Sequence, residues 1–494
     1  MIFSTPSRRR RRLLIASVIT LLVLVAALAT DLLCGLLISP SFSPSLGLVQ
    51  AMHRKLHGAQ AVEPVKPPSE PANHAQAPPA ELPPLEPAAR REAFRTKPWL
   101  RTAFVLTDDQ TSLEDFQRRS GQLDAVFPTG LRVEAADGNL RIQPDARVIR
   151  TLSNGRNLVL PVVSNTSANG DWLPDPLATL LGSPEAGDRL IRNLKAAVTD
   201  LHADGINLDF EQLSGKETDD FNEWVKRLCD AFHADNLLVT VDLPMNDEAY
   251  DPEFLGGVTD AVVAMAYDEH YAAGHPGSIA GQPWFTDALD DLSQRVPAGK
   301  LIVALGGYGY DWNVTAGTPP EAIGFEEAMF LASDEEADVE ADGDDLNSHF
   351  KYTDEDTRQK HEVWFLDAIS AWNQTQLARS HGIRGFSLWR MGLEDPGIWD
   401  FLGGDPDQYQ PARLTSTAGG QSVHFLGEGE LLRVRSVPTD GKRNATFDGR
   451  LVDWAKYETI PRCYEVDRFG HNPGKKIALT FDDGPDPTWT PEIL

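Results

Sequence analysis

Cysteine is scarce in this chain. Cys34, Cys229 and Cys463 are the three in 494 residues, an odd number with no metal-type spacing, so neither a disulfide framework nor a cysteine-based metal site is expected. Cys34 is also a poor acylation site, because Leu33 stands where a lipoprotein cleavage signal wants a small residue. Cationic charge is short as well: 45 Lys and Arg face 73 Asp and Glu, a formal net charge of -28. That balance excludes the basic surface by which nucleic acid is held through its phosphates. The acidity reads either as a solvated, self-repelling surface or as attraction for a cationic glycan such as a partly deacetylated amino sugar.

Long apolar runs are nearly absent. The exception starts after Arg8–Arg12, runs from Leu13 to Thr30, and is followed beyond Asp31 by a second apolar patch up to Ile38. Some 20 apolar residues cross a hydrocarbon core, and the positive-inside rule keeps the arginines cytoplasmic. The expectation is therefore a basic tail at 1–12 and a transmembrane anchor at 13–38, which makes this a single-pass cell-membrane protein whose body faces the periplasm or cell exterior. A cleaved signal peptide is the alternative, although the run is longer than a usual h-region and no small-x-small site follows it directly. Proline and alanine dominate the next stretch, with Pro64, Pro67, Pro68, Pro78, Pro79, Pro83 and Pro84, so 39–96 is expected to be an extended, semi-rigid linker.

From about residue 97 short apolar runs alternate with amphipathic stretches, the pattern of parallel strands joined by helices. Eight strand candidates can be counted: 103–106, 125–127, 158–163, 205–210, 237–241, 261–266, 301–305 and 385–388. Between them, 188–202 and 219–232 place apolar residues at a helical period. The pattern fits an α/β fold, a (β/α)8 TIM barrel over 97–403, with an α+β insertion between strands seven and eight from about Trp312 to Lys360. A doubly wound open sheet is compatible with the same pattern; the polar residues gathered at the C-terminal strand ends favour the barrel. In the insertion, Asp338, Glu340, Asp342 and Gly343 imitate the start of an EF-hand loop, but the twelfth position is His349, so a solvated loop is expected.

The sharpest local signal is Asp204-Gly205-Ile206-Asn207-Leu208-Asp209-Phe210-Glu211. On a strand, Asn207, Asp209 and Glu211 point the same way. Such a row is either a buried hydrogen-bonded ladder or chemistry: two carboxylates at a strand mouth repel, one pKa rises, and a general acid results. The stretch resembles the signature of glycoside hydrolase family 18, Asp-x-x-Asp-x-Asp-x-Glu, found in chitinases and spore-cortex-lytic N-acetylglucosaminidases. Met265-Ala266-Tyr267-Asp268 resembles that family's sixth-strand motif, and Gly385-Phe386-Ser387-Leu388-Trp389 its eighth strand. Tyr308-Gly309-Tyr310-Asp311-Trp312 and His361-Glu362-Val363-Trp364-Phe365 are similar to the cortex-lytic branch.

The resemblance implies a retaining mechanism in which the substrate supplies the nucleophile. Glu211 would protonate the glycosidic oxygen, and Asp209 would orient the substrate acetamido group. Tyr267 and Asp268 would support the oxazolinium-like intermediate, while Trp389, with Asn207, Tyr310 and Met265, would bind substrate. No cofactor is implied for the barrel, and the partner is an N-acetylglucosamine-containing polysaccharide. Asn207 departs from the motif's second Asp, and Val163-Ser164-Asn165 replaces the third-strand Ser-x-Gly-Gly of chitinases.

After a connecting segment at 404–474, Lys476-Ile477-Ala478-Leu479-Thr480-Phe481-Asp482-Asp483-Gly484-Pro485-Asp486 resembles the first motif of NodB-type polysaccharide deacetylases. The resemblance implies Asp482 as general base and Asp483 as ligand of a divalent, zinc-type metal in a complete domain. Here 475–494 would be its truncated start, without deacetylase activity, as in the N-terminal part of a hydrolase–deacetylase–family 2 glycosyltransferase protein. Two functions are expected in competition: hydrolysis of β-1,4 bonds in chitin-like polymer or peptidoglycan, or a weakly catalytic barrel that presents polymer to a deacetylase or glycosyltransferase.

Overall fold

The computed structural model describes residues 86–470 apart from 144–145, 153–155, 342–344 and 355–356. Eight parallel strands close into a ring: β1 (Leu100–Val105), β2 (Ala125–Pro128), β3 (Leu158–Val159 and Val162–Ser164), β4 (Gly205–Asp209), β5 (Leu238–Pro244), β6 (Ala261–Ala266), β7 (Leu301–Gly306) and β8 (Gly385–Trp389). Each pairs with its neighbours, and β8 pairs with β1 to close the barrel. β3 is interrupted at Leu160-Pro161. Proline has no N–H for the ladder, yet its carbonyl still accepts from Asn207 N at 3.0 Å, which keeps β3 against β4.

Residues of β6 and β7 are buried throughout, as expected of parallel strands covered on both faces. The covering helices bury one stripe each. Pro184–Leu201 starts with Pro184 in its first turn and Ser183 Oγ accepting from Ala186 N, and buries Leu190, Leu194, Val198 and Leu201. Thr218–His233 buries Phe221, Trp224, Val225, Leu228 and Phe232. Gly205 is required at the start of β4: a Cβ there would lie 2.0 Å from the Leu238 carbonyl oxygen.

The N-terminal boundary moves back from the expected residue 97. Helix α1 (Pro87–Thr96), expected within the linker, packs against the barrel through Phe94, 2% exposed. Its cations meet carboxylates that immediately precede strands: Arg90 and Arg91 reach Asp204 at 3.3 and 3.2 Å, and Arg95 reaches Asp260 at 2.8 Å. Lys97 and Asp124 repeat the arrangement at 2.6 Å.

The insertion starts earlier and ends later than expected. Antiparallel strands Tyr308–Asn313, Glu321–Gly324, Ser348–Thr353 and Lys360–Phe365, with helix Phe325–Asp334, surround Phe325, Phe350, Val363 and Phe365. Glu340–Ala341, in the loop tested for calcium, is a strand pairing with Lys456 and Ala455. The segment after the barrel is therefore part of the insertion's sheet. Buried Arg443 fastens that segment to the barrel, donating to Asp395 at 2.5 Å and Tyr457 at 2.6 Å, with Asp367 3.5 Å away. Cys229 and Cys463 are buried thiols outside any disulfide.

The expected cell-membrane location is corrected. Among the described residues no helix is long and apolar enough to cross a membrane, and segment 13–38, on which a single-pass anchor and a membrane partner rested, lies outside those residues. The motif at 475–494, with Asp482 and Asp483, also lies outside them.

Candidate active site

Parallel strands project alternate side chains into the barrel mouth, and the site is assembled from those that emerge at the C-terminal ends of β4, β5, β6 and β8. A cavity of about 360 Å3 opens there. Its wall contains Asp209 and Glu211 from β4, Asp242 from β5, Met265, Tyr267 and Asp268 from β6, Tyr308 and Tyr310 from the insertion, and Trp389 from β8. Seven of the eight residues expected to act or to bind thus face one space.

Asn207 is the eighth and does not. It is fully buried beneath the cavity, with its amide committed: Thr240 Oγ1 donates to its Oδ1 at 2.6 Å and its Nδ2 donates to Asp242 at 2.5 Å. The expectation that it binds substrate is corrected to a place in the wall beneath Asp209, because an amide buried between two strands satisfies its own hydrogen bonds before any ligand's.

The carboxyl groups are short of cations. Burial, then the charges of Asp209, Asp268 and Asp247, push Glu211 up to about 9. Burial pushes Asp209 up to about 7, although the Glu211 carboxyl donates to it. A buried pair of this kind shares a proton, and Glu211 is the member that holds it. Asp268 is raised by burial against the opposing hydrogen bonds of Tyr308 and Tyr310. Both hydroxyls donate to its Oδ1, Tyr310 at 3.4 Å. Asp268 holds a left-handed backbone, φ 64°, which Asp tolerates better than most residues.

Aromatic rings form the floor. Trp389 lies nearly parallel to Tyr267, centroids 6.4 Å apart at 22°, and Phe104 meets its edge at 5.0 Å. Tyr308 stands edge-on to Tyr267 at 6.0 Å. Such a floor offers an apolar face beside a proton donor, the combination a pyranose ring and its glycosidic oxygen require.

Sequence reading missed several contributors. Asn165 clamps the backbone of Glu211, accepting from its N–H at 2.9 Å and donating to its carbonyl at 3.0 Å. Tyr250 donates to the Phe210 carbonyl at 2.6 Å. Arg390 lines the cavity and is held by Asp109 at 2.5 Å. Asp242 had a visible signal, a charged residue inside the apolar strand Leu238–Pro244, but its neighbours are fixed by strand pairing and not by chain order.

Comparison with known proteins agrees with this geometry. Residues 165–394 match the model described as glycosyl hydrolases family 18. The chain is 26% identical over 286 residues to a cortical fragment-lytic enzyme of Bacillus subtilis, 56% of this chain and 65% of that protein. It is 27% identical over 278 residues to a protein of the same description from Bacillus cereus, 54% and 64% respectively. The match thus spans less than two thirds of the length of these curated relatives. Among solved structures, a chitinase from Chromobacterium violaceum superposes with a TM-score of 0.58 at 26% identity, over 63% of this chain and 100% of that one. The Bacillus cereus spore cortex-lytic enzyme superposes at 0.57 with 23% identity, over 62% and 74%, a likeness of fold. A TIM-type barrel with this signature on its fourth strand is what the match of residues 165–394 to glycosyl hydrolases family 18 covers.

Proposed function

We propose that the barrel hydrolyses β-1,4 glycosidic bonds in an N-acetylated polysaccharide, chitin-like or peptidoglycan, by a retaining mechanism in which the substrate's own acetamido group is the nucleophile. The observation that carries the reading is the pair of carboxyls on β4: Glu211 keeps its proton well above neutral pH beside buried Asp209, at the mouth of a cavity floored by Trp389 and Tyr267. Support comes also from the relatives, described as cortical fragment-lytic enzymes and a chitinase.

In this reading Glu211 protonates the leaving oxygen. Asp209 orients the acetamido N–H so that its carbonyl attacks the anomeric carbon, and Tyr267 with Asp268 supports the charged intermediate. Trp389 and Met265 bear the sugar at the scissile bond, and Tyr310 reaches it from the insertion. The reaction needs Glu211 protonated, so turnover should persist to about pH 9 and fall as that proton is lost. We read 475–494 separately, on its motif alone, as the start of a NodB-type deacetylase domain within a polysaccharide-modifying protein; Asp482 and Asp483 would act only in a complete domain holding its metal.

The test is incubation of the chain with chitooligosaccharides and with peptidoglycan fragments, with mass and anomeric analysis of products. Cleavage with a β reducing end, and none for substrates lacking the N-acetyl group, is the expected result. Binding of N-acetylated oligomers without cleavage, identical in wild type and Glu211→Gln, would replace the enzyme with a polymer-presenting barrel.

A further inference from the structure

Two carboxyl oxygens beneath the cavity, Asp209 Oδ1 and Asp242 Oδ1, are buried without a hydrogen-bond partner. They belong to neighbouring residues. β4 and β5 run parallel with Asn207 opposite Thr240 and Leu208 opposite Val241, so Asp209 and Asp242 follow side by side, one strand spacing of about 4.8 Å apart. Both side chains reach the cavity wall. The other oxygen of Asp242 already accepts from Asn207 at 2.5 Å, and that amide's orientation is fixed because its own oxygen accepts from Thr240. A proton on Asp242 is therefore placed on Oδ1, on the strand next to the one that carries Asp209 and its own unpartnered oxygen.

We propose that Asp242 is a protonated positioning residue that donates its hydrogen bond to Asp209 Oδ1 and so holds the Asp209 carboxylate ionised and aimed. The inference rests on the proposed function, since it assigns the partner of a residue whose role is argued there. Two adjacent buried carboxyls cannot both ionise without a cation. The groups facing Asp242 are Asp209 and Glu211 from β4 and Tyr267 from β6, with the neutral Asn207 and Thr240 below. Burial and the charge of Asp209 favour the neutral form of Asp242. In this arrangement Asp209 receives Glu211 on one side and Asp242 on the other, and a carboxylate with two donors keeps its charge at lower pH.

The first test does not need activity. Infrared difference spectra of the chain with isotope-labelled aspartate, at neutral pH, should show a protonated carboxyl band in wild type that is missing from Asp242→Asn. An unchanged band overturns the proposal. The second test is the pH profile of kcat/KM on an N-acetylated oligosaccharide. Asp242→Asn keeps a donor toward Asp209 and should leave the acidic limb in place, whereas Asp242→Leu removes it and should move that limb up by about one pH unit. If Asp242 were ionised, its neutralisation in Asp242→Asn would move both limbs down, which is the opposite sign and overturns the proposal. A wild-type chain that never cleaves defeats the enzymatic reading, while the infrared result still decides the protonation of Asp242.

Discussion

Asp204, just before β4, and Asp209, at its end, stand five residues apart at opposite ends of the barrel and have different surroundings. Asp204 is met by Arg90 and Arg91 from α1 and accepts from Val159 N at 3.2 Å, contacts that oppose the rise burial gives it without outweighing it. Asp260, which precedes β6, is held below the usual carboxylate range: burial raises it, but His233, the Val239 N–H and Arg95 outweigh that. At the other end Asp209, Glu211, Asp242 and Asp268 crowd together, and burial raises all four. Paired carboxylates hold the barrel's base; unpaired ones store protons at its mouth. The comparison teaches that identical side chains at the two ends of one strand become structure or chemistry according to whether a cation is packed against them.

The strongest way to break this division is at the mouth. Glu211→Gln should lose about 100-fold to 10,000-fold in kcat while still binding oligosaccharide, measured by turnover and by calorimetric titration. Retained activity would remove Glu211 from the role of proton donor. Asp204→Ala should do the reverse, leaving Arg90 buried and unpaired and costing about 3 to 5 kcal/mol in denaturant unfolding, with kcat per folded molecule unchanged. A selective loss of kcat there would show that the base takes part in the chemistry.

A smaller effect sharpens the role of the floor. Trp389→Ala removes the ring stacked on Tyr267 and should weaken oligosaccharide binding by about fivefold, from loss of about 1 kcal/mol of aromatic contact. The smallest concerns Glu394, another carboxyl without a cation, pushed up to about 8 by burial and by Asp115. The stability it contributes is fully present below its unfolded pKa of 4.5 and is lost as pH rises through about 8. Glu394→Gln should therefore flatten the fall of Tm between about pH 4.5 and 8 by a few degrees; an unchanged slope there would show that the proton is held elsewhere.

Much of the barrel was legible along the chain because its signals are local. The strands are short buried runs, as at 261–266 and 301–306, and the helices at 184–201 and 218–233 have periodic apolar stripes, so their elements follow from neighbours in sequence. The motif on β4 was equally local, since strand alternation by itself turns Asp209 and Glu211 the same way. Helix α1 was hidden because its first residues, Pro87-Ala88-Ala89, continue the Pro/Ala pattern of the linker before it; what orders it is the carboxylates its arginines meet and the burial of Phe94. The insertion's start at Tyr308 was hidden because its first strand follows β7 after a single residue.

The sequence by itself determined the parallel strand and helix order, the acidic character of the chain and the carboxyl pair on β4, because each depends on residues adjacent in the chain. Only the tertiary structure decided that Asn207 turns from substrate to Asp242, that Asn165 clamps Glu211, and that Arg443 ties the following segment to the barrel. Those contacts join residues from 35 to 48 positions apart. The first two exist because the barrel pairs neighbouring strands whatever the length of chain between them, and the third because the segment after the barrel folds back as part of the insertion's sheet, proximities that no local pattern encodes.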